Sequence, residues 1–560
     1  WRPQLAVHCL NMTFEHQMFP YPVTGTTGTI TLNNDVLEFT LSSLASNKPV
    51  NMKGRFEDVF GVPTGWMTYD CAGPVPIDAR LFAAMDTEAL RPTRDLLVAM
   101  KARGGVSSHG RFDLKPLPSG STQLEEHLYF KLTDCAATWD DFPYPLYEIS
   151  GEIELWNGQF TFRNIKGQND SAQIACSGTY IDDGKEPVLT LNYVCRDVPL
   201  EEELRRAFNP ALQEVWASLR PQGTIDQINA QLIYFPTTDS MEVSLAAIKW
   251  PQQHSRQGQP ISVLPDAFPY QLNQVQGEVH YQNGQIDFKS LSAVHNDARV
   301  TVSGFCQIGE DGSWRLQFSE LNTEGLTIDR DLISALPEQL AVSVAPMNIH
   351  GPLTVTGGIE FRQGPDPLAR VDSDWDLSLD LENGHAHCGI ALTNIHGGVR
   401  LTGSNNAKGF FSRGEVSLDS IMYEGFQFTN VTGPIWIDRE RVALGAWAEQ
   451  PVQGRTPRRM QASVLGGKIA GDIHISLEDD KYFTLQAQLD QADLQQFARE
   501  HLPRQRAISG SASGALRLSG TSRGADTLRG DGKLWLRKAD IYELPVMVAL
   551  LKILKIKPLD

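Results

Sequence analysis

Three stretches of this chain begin alike: Phe19-Pro20-Tyr21-Pro22, Phe142-Pro143-Tyr144-Pro145 and Phe268-Pro269-Tyr270, spaced by 123 and 126 residues. Nine residues after each Phe stands a glycine, Gly28, Gly151 or Gly277. Apolar pairs follow on both sides of a turn: Ile30/Leu32 and Leu37/Phe39, Ile153/Leu155 and Phe160/Phe162, Val279/Tyr281 and Ile286/Phe288. The turn residues are Asn33-Asn34-Asp35, Asn157-Gly158 and Asn283-Gly284. Period-two alternation flanking such a turn predicts a β-hairpin in each copy. A third strand is expected near Gly54, Gly178 and Gly304. A period this long marks an architecture of stacked units rather than one compact core, as does a length of 560 residues.

A second element recurs downstream. Val75-Pro76-Ile77-Asp78, Val198-Pro199-Leu200-Glu201 and Leu326-Thr327-Ile328-Asp329 each lead into apolar residues at helical spacing: Leu81, Ala84 and Met85; Leu204, Ala207 and Phe208; Leu332, Ala335 and Leu336. The spacing predicts one short amphipathic helix per copy, starting near Asp78, Glu201 and Asp329, where an acidic residue suits the helix dipole. Gly-punctuated strands resume after each helix, as in Gly223-Thr224-Ile225 and Gly351-Pro352-Leu353. Past residue 390 the copies degenerate while the strand cadence persists at Gly398–Leu401, Gly414–Leu418 and Gly433–Ile437, with one more helix expected over Ala492–Leu502. The expected divisions are 1–141, 142–267, 268–390 and 391–560. Only the polar stretch Gln453–Arg459 has the composition of a linker, and it is short.

Composition narrows the partners. With 49 Lys and Arg against 67 Asp and Glu, the net charge of −18 argues against a protein built mainly to grip nucleic acid or anionic lipid headgroups. Hydrophobic residues at 41 % and charged residues at 21 % exclude wholesale disorder. No apolar run is long enough for a transmembrane helix. The seven cysteines, isolated and without a Cys-x-x-Cys pair, suit small buried hydrophobes better than a disulfide scaffold or a zinc site. Opening at Trp1 and closing at Asp560, the sequence is expected to be a piece of a longer chain.

Catalytic and metal chemistry finds little support. His385 and His387 share one face of an expected strand beside Cys388, without a carboxylate at ligand spacing. Asp140 and Asp141, next to Trp139 and Phe142, are adjacent strand residues and point to opposite faces, unlike a paired-carboxylate cleft. Gly510-Ser511-Ala512-Ser513-Gly514 has Ala512 where a nucleophile elbow needs serine. The expectation is a non-enzymatic protein without cofactor or metal. The basic amphipathic segment Val546–Lys557 is too short to span a bilayer and reads as a helix docked on the sheet or lying on a membrane surface. The prolines of the Phe-Pro-Tyr motif preset an extended corner immediately before each strand.

The glycine-punctuated strands, the phrase Val464-Leu465-Gly466-Gly467-Lys468-Ile469-Ala470-Gly471, and the run Gly530-Asp531-Gly532-Lys533-Leu534-Trp535-Leu536 followed by Ala539-Asp540-Ile541-Tyr542-Glu543-Leu544-Pro545 resemble the AsmA-like superfamily of diderm (Gram-negative) bacteria. Within it, the large periplasmic proteins of the YdbH and TamB type are most similar, and the specific likeness covers roughly the last hundred residues. The resemblance implies a mainly β fold: an elongated, twisted antiparallel sheet curled into a taco-like groove. It implies a periplasmic protein anchored in the inner membrane, with an apolar interior that conducts phospholipid acyl chains and supports outer-membrane biogenesis. The implied partners are phospholipid acyl chains, the inner and outer membranes through segments beyond this sequence, and an outer-membrane partner protein. No catalytic residues carry over.

The residues themselves leave two outcomes open. A sheet with one apolar face must bury it, and one or two helices per copy are too few to cover it. Either the sheet fills its own interior, giving a repetitive structural or adhesive protein with a protein or cell-wall partner, or it keeps a lipid furrow. In the second case Ile30, Leu32, Leu37, Phe39, Ile153, Leu155, Phe160, Phe162, Val279, Tyr281, Ile286 and Phe288 are the expected floor.

Overall fold

The computed structural model describes residues 4–539, apart from 89, 141, 183–185, 252–257, 267, 310, 337–340, 342–343, 367, 388–389, 450–455, 478–481, 503–507 and 522–524. The protein is mainly β, 68 % strand and 11 % helical. It forms a long antiparallel sheet of 29 strands, from β1 (Gln4–His16) to β29 (Arg529–Arg537). Contacts divide the chain into two compact units: Trp1–Ser262 with Gln276–Asn283, and Val263–Val275 with Gly284–Asp560.

Local chemistry sets the hairpins. Between β8 (Phe142–Trp156) and β9 (Gln159–Asn169) the turn is Asn157-Gly158, both with positive φ (48° and 80°). That is the twist a two-residue antiparallel connection needs. Asn283 and Gly284 repeat it at 46° and 84°, after β15 (Leu272–Gln282) and before β16 (Gln285–His295). In the first hairpin β2 (Phe19–Asn33) runs one residue further than the expected turn at Asn33-Asn34. The turn is Asn34-Asp35, with Asn34 alone left-handed. Asn33 pairs with Val36, so its amide belongs to the ladder. The prolines are also placed differently from the expected corner. Pro20 and Pro22 lie inside β2, and Pro143 and Pro145 inside β8, where register shifts spare the ladder the missing N–H groups.

Three six-residue helices start where the acidic residues stand: α1 (Ala79–Ala84), α3 (Glu202–Ala207) and α5 (Arg330–Ala335). Asp78 accepts from the amides of Arg80 and Leu81, and Asp329 from that of Leu332, satisfying otherwise orphaned donors. Glu201 makes no such cap, since its longer side chain does not fold back on the first turn. Helices α2 (Arg91–Ala99) and α4 (Pro210–Leu219) follow the first two. Near the end of the described chain α6 (Leu494–His501) is capped by Asp493.

Among the described residues, four hydrophobic clusters each include residues of one of these helices. Tyr21 packs with Val50, Val75 and Ala84; Tyr144 with Ala172, Leu204 and Ala207; Tyr270 with Ala298, Leu332 and Ala335. The fourth joins Ala492, Leu494, Ala498 and Ala512. The buried tyrosine of each Phe-Pro-Tyr is thus the anchor, while Phe19, Phe142 and Phe268 stay exposed. A small residue at Ala84, Ala207 and Ala335 lets each helix backbone approach the sheet, and fully burying a leucine such as Leu332 is worth about 1.5–3 kcal/mol.

The segment Val546–Lys557, Asp540–Pro545, residues 453–455, Asp141 and Cys388 lie outside the described residues. Asp140 is exposed and pairs with Lys101 at 2.6 Å. His385 and His387 are both exposed at the end of β20 (Asp372–His387), with His385 bridged to His350 through backbone hydrogen bonds. Cys9, Cys71, Cys135, Cys176, Cys195 and Cys306 are free thiols on strands.

Candidate functional site

Antiparallel pairing sets residues of neighbouring strands side by side on one face, so the register decides whether the apolar positions join up. In the first unit they do. One row runs from Cys9 in β1 through Gly28, Leu41, Met52, Tyr69 and Gly110 to Leu128. It continues through Leu155, Phe160, Tyr180, Leu189 and Tyr234 to Met241 in β13 (Ser240–Lys249). No residue of this row is charged, and Tyr234 turns its hydroxyl to Asp239 at 2.9 Å.

The second unit carries an equivalent row. It begins at Leu291 in β16 and passes through Val302, Leu321, Gly357, Leu377, Leu401 and Gly414. From there it crosses Ile435, Leu444, Ile473, Leu485 and Leu518 to Gly530 in β29. Every member is apolar. In the adjacent row the polar Ser412 is buried and accepts from the indole Nε1 of Trp375 at 3.3 Å, so it presents no unpaired group.

The sequence-derived floor residues fall on these faces. Ile30 lies opposite Phe39, Leu32 opposite Leu37, Ile153 opposite Phe162, and Leu155 opposite Phe160. Tyr281 faces Leu245 and Val279 faces Ala247, on the same face of the first unit. In the second unit Ile286 lies beside Cys306 and Phe288 beside Gly304. All are half-buried except Phe288, which is 8 % exposed under Phe318. Half-burial leaves part of each of these side chains open to solvent.

The reverse face is laced with ion pairs. Arg55 bridges Glu38 and Glu57, Arg315 bonds Glu360, and Arg400 holds Asp376 in a two-pronged contact at 2.9 and 3.0 Å. The Arg400 guanidinium keeps the Asp376 carboxyl below the usual carboxylate range. On the apolar face burial acts the other way, pushing the Cys176 and Cys195 thiols up to about 11.

Sequence reasoning missed the charges on the apolar face. Asp226 and Lys249 are 3 % and 8 % exposed and meet at 2.8 Å, two residues beyond Ile228 and Ala247 on the same face. Asp226 also accepts from the Trp250 amide, and Lys249 donates to the Gln259 carbonyl. The pair sits at the helix-side margin, off the uncharged row. Glu126, opposite Phe112, lies at the other margin beside Asn157. No local pattern links residues 226 and 249, so periodicity had no means of finding the pair.

Among the described residues, two side-chain clusters have ligand spacing for a cation: Asp170, Glu201 and Glu203 by α3, and His295, Asp329 and Asp331 by α5. The doublets Glu201-x-Glu203 and Asp329-x-Asp331, each at the start of a short helix, were the signal for them in the sequence. Among the described residues no helix is long and apolar enough to cross a membrane, which says nothing of strands. Compared with known proteins, the chain matches no family model, no curated protein and no solved structure.

Proposed function

We propose that the apolar face of each unit is the floor of an open groove that holds phospholipid acyl chains and passes them along its length. The observation that carries this reading is the uncharged row crossing β1 to β13 in one unit, matched in the other from β16 to β29. Strands lie about 4.8 Å apart, so twelve steps make a track of roughly 58 Å. An acyl chain reaches about 15 Å, half the hydrocarbon core of a bilayer. Such a track accommodates several chains in succession. Each buried methylene contributes about 0.8 kcal/mol, and a uniform floor lets a chain slide without losing contact. A buried, unpaired charge would interrupt that movement at a cost of several kcal/mol, and the row has none.

In this reading the chain is built from units of ~125 residues, each closed at one margin by its short helices, and curled like a taco around the lipid. The sequence resemblance to the AsmA-like superfamily supports the same assignment: a non-enzymatic periplasmic protein, tethered to the inner membrane, that moves phospholipid toward the outer membrane. The test is to purify the chain from a Gram-negative host without detergent, extract it with organic solvent and count phospholipid by mass spectrometry. More than one phospholipid per chain is expected. A lipid-free, folded chain would overturn the proposal.

A further inference from the structure

We propose that His295, Asp329 and Asp331 form a binding site for a divalent transition-metal ion, with Zn2+ the best-matched probe. The inference is independent of the lipid reading. His295 ends β16, and its side chain is 8 % exposed. Its Nδ1 lies 2.7 Å from the carbonyl oxygen of Gln271, so this nitrogen carries the proton and donates. Nε2 therefore points the other way, the arrangement of imidazole ligands whose far nitrogen a carbonyl fixes. Nε2 is buried and makes no hydrogen bond. The Tyr270 ring, stacked 3.8 Å away at 23°, holds the imidazole in that orientation.

What Nε2 faces is a carboxylate. Oδ2 of Asp331 is 3.7 Å away, and one ligand atom from each of His295, Asp329 and Asp331 lies within 4.8 Å of the other two. Asp329 spends Oδ1 on the Leu332 amide and has its second oxygen for an ion. An imidazole nitrogen and carboxylate oxygens within that reach of one another can share one electrophile. Zn2+ binds imidazole nitrogen and carboxylate oxygen at about 2.0–2.2 Å, which places two ligands of one ion roughly 3–4 Å apart. Asp331, 67 % exposed, is free to make the remaining adjustment. One nitrogen and two oxygens favour a transition ion over Mg2+ or Ca2+, which take oxygen alone. The site uses side chains only and no helix amide.

The experiment uses the 560-residue chain carrying His385→Ala and His387→Ala, which removes the exposed histidine pair, after dialysis against chelator. Zn2+ is titrated by calorimetry, and Co2+ by visible absorption. His295→Ala should abolish one equivalent of Zn2+. Asp331→Asn, at an exposed position that leaves the fold intact, should weaken that equivalent at least tenfold and shrink the rise in melting temperature that Zn2+ causes. If His295→Ala fails to fold, Asp331→Asn alone decides. Equal stoichiometry and affinity in the parent and Asp331→Asn would overturn the site. So would nitrogen NMR showing His295 doubly protonated at neutral pH and unresponsive to Zn2+, which would assign the place to an imidazolium–carboxylate pair.

Discussion

Gly403 lies directly opposite Trp375 on the neighbouring strand, and a Cβ on Gly403 would meet the indole Cζ2 at 2.6 Å and the Phe411 carbonyl oxygen at 2.3 Å. The missing side chain is what lets the indole lie flat across the adjoining strand. Gly54 makes the same room for Phe39, whose ring carbon would be 2.5 Å from a Cβ there. At both places a glycine makes the room that an aromatic ring on the apolar face occupies.

Gly403→Ala should therefore destabilise the second unit by about 1–3 kcal/mol, the range for overpacking a filled position. Gly364→Ala, where a Cβ meets nothing within 4 Å, is the matched control and should be near neutral. Urea midpoints of the two variants check the contrast.

Lys249→Met should cost about 3–5 kcal/mol, because it takes the Lys249 ammonium away from the buried Asp226 carboxylate. Replacing both partners, Asp226→Leu with Lys249→Met, should recover most of that loss. A double-mutant cycle by chemical unfolding reads the coupling, and additive losses would show that the pair does not act as a unit.

Much of this architecture is legible in the sequence, and the reasons are local. Hairpins at Asn157-Gly158 and helices after Asp78, Glu201 and Asp329 depend on residues within one turn of each other, so spacing alone places them. Apolar alternation also constrains register, because a one-residue slip turns every apolar residue of the stripe to the ion-paired face. The shift of the first turn to Asn34-Asp35 was not legible, since Asn33 and Asn34 are chemically alike and only the pairing of Asn33 with Val36 decides between them. The Asp226–Lys249 pair and the approach of His295 to Asp331 join distant segments, and they exist only once the strands have been laid side by side.

Glu201→Gln should stabilise the protein at neutral pH. Burial, with help from Asp170 and Glu203, raises the Glu201 carboxyl above its ordinary value. A carboxyl raised on folding takes up its proton at higher pH in the folded chain than in the unfolded one, so stability declines as pH rises through the folded value. The gain from the amide should be largest above the folded value and should fade as the pH falls toward about 4, where unfolded glutamate also protonates. Thermal melts of parent and variant across that range check the sign; a gain that grows with acid would refute it.

Acyl chains are expected to touch one face of the sheet and not the other, and site-specific photocrosslinking reads this directly. A photoreactive amino acid is placed at Leu401, on the uncharged row of the second unit, or at its sequence neighbour Arg400, on the ion-paired face. Cells fed radiolabelled phospholipid precursors are irradiated, and the purified chain is examined for covalently attached label. Label at position 401, with little or none at position 400, is the predicted result. Equal labelling at both positions, or none at either in a folded chain, would contradict a lipid-bearing apolar face.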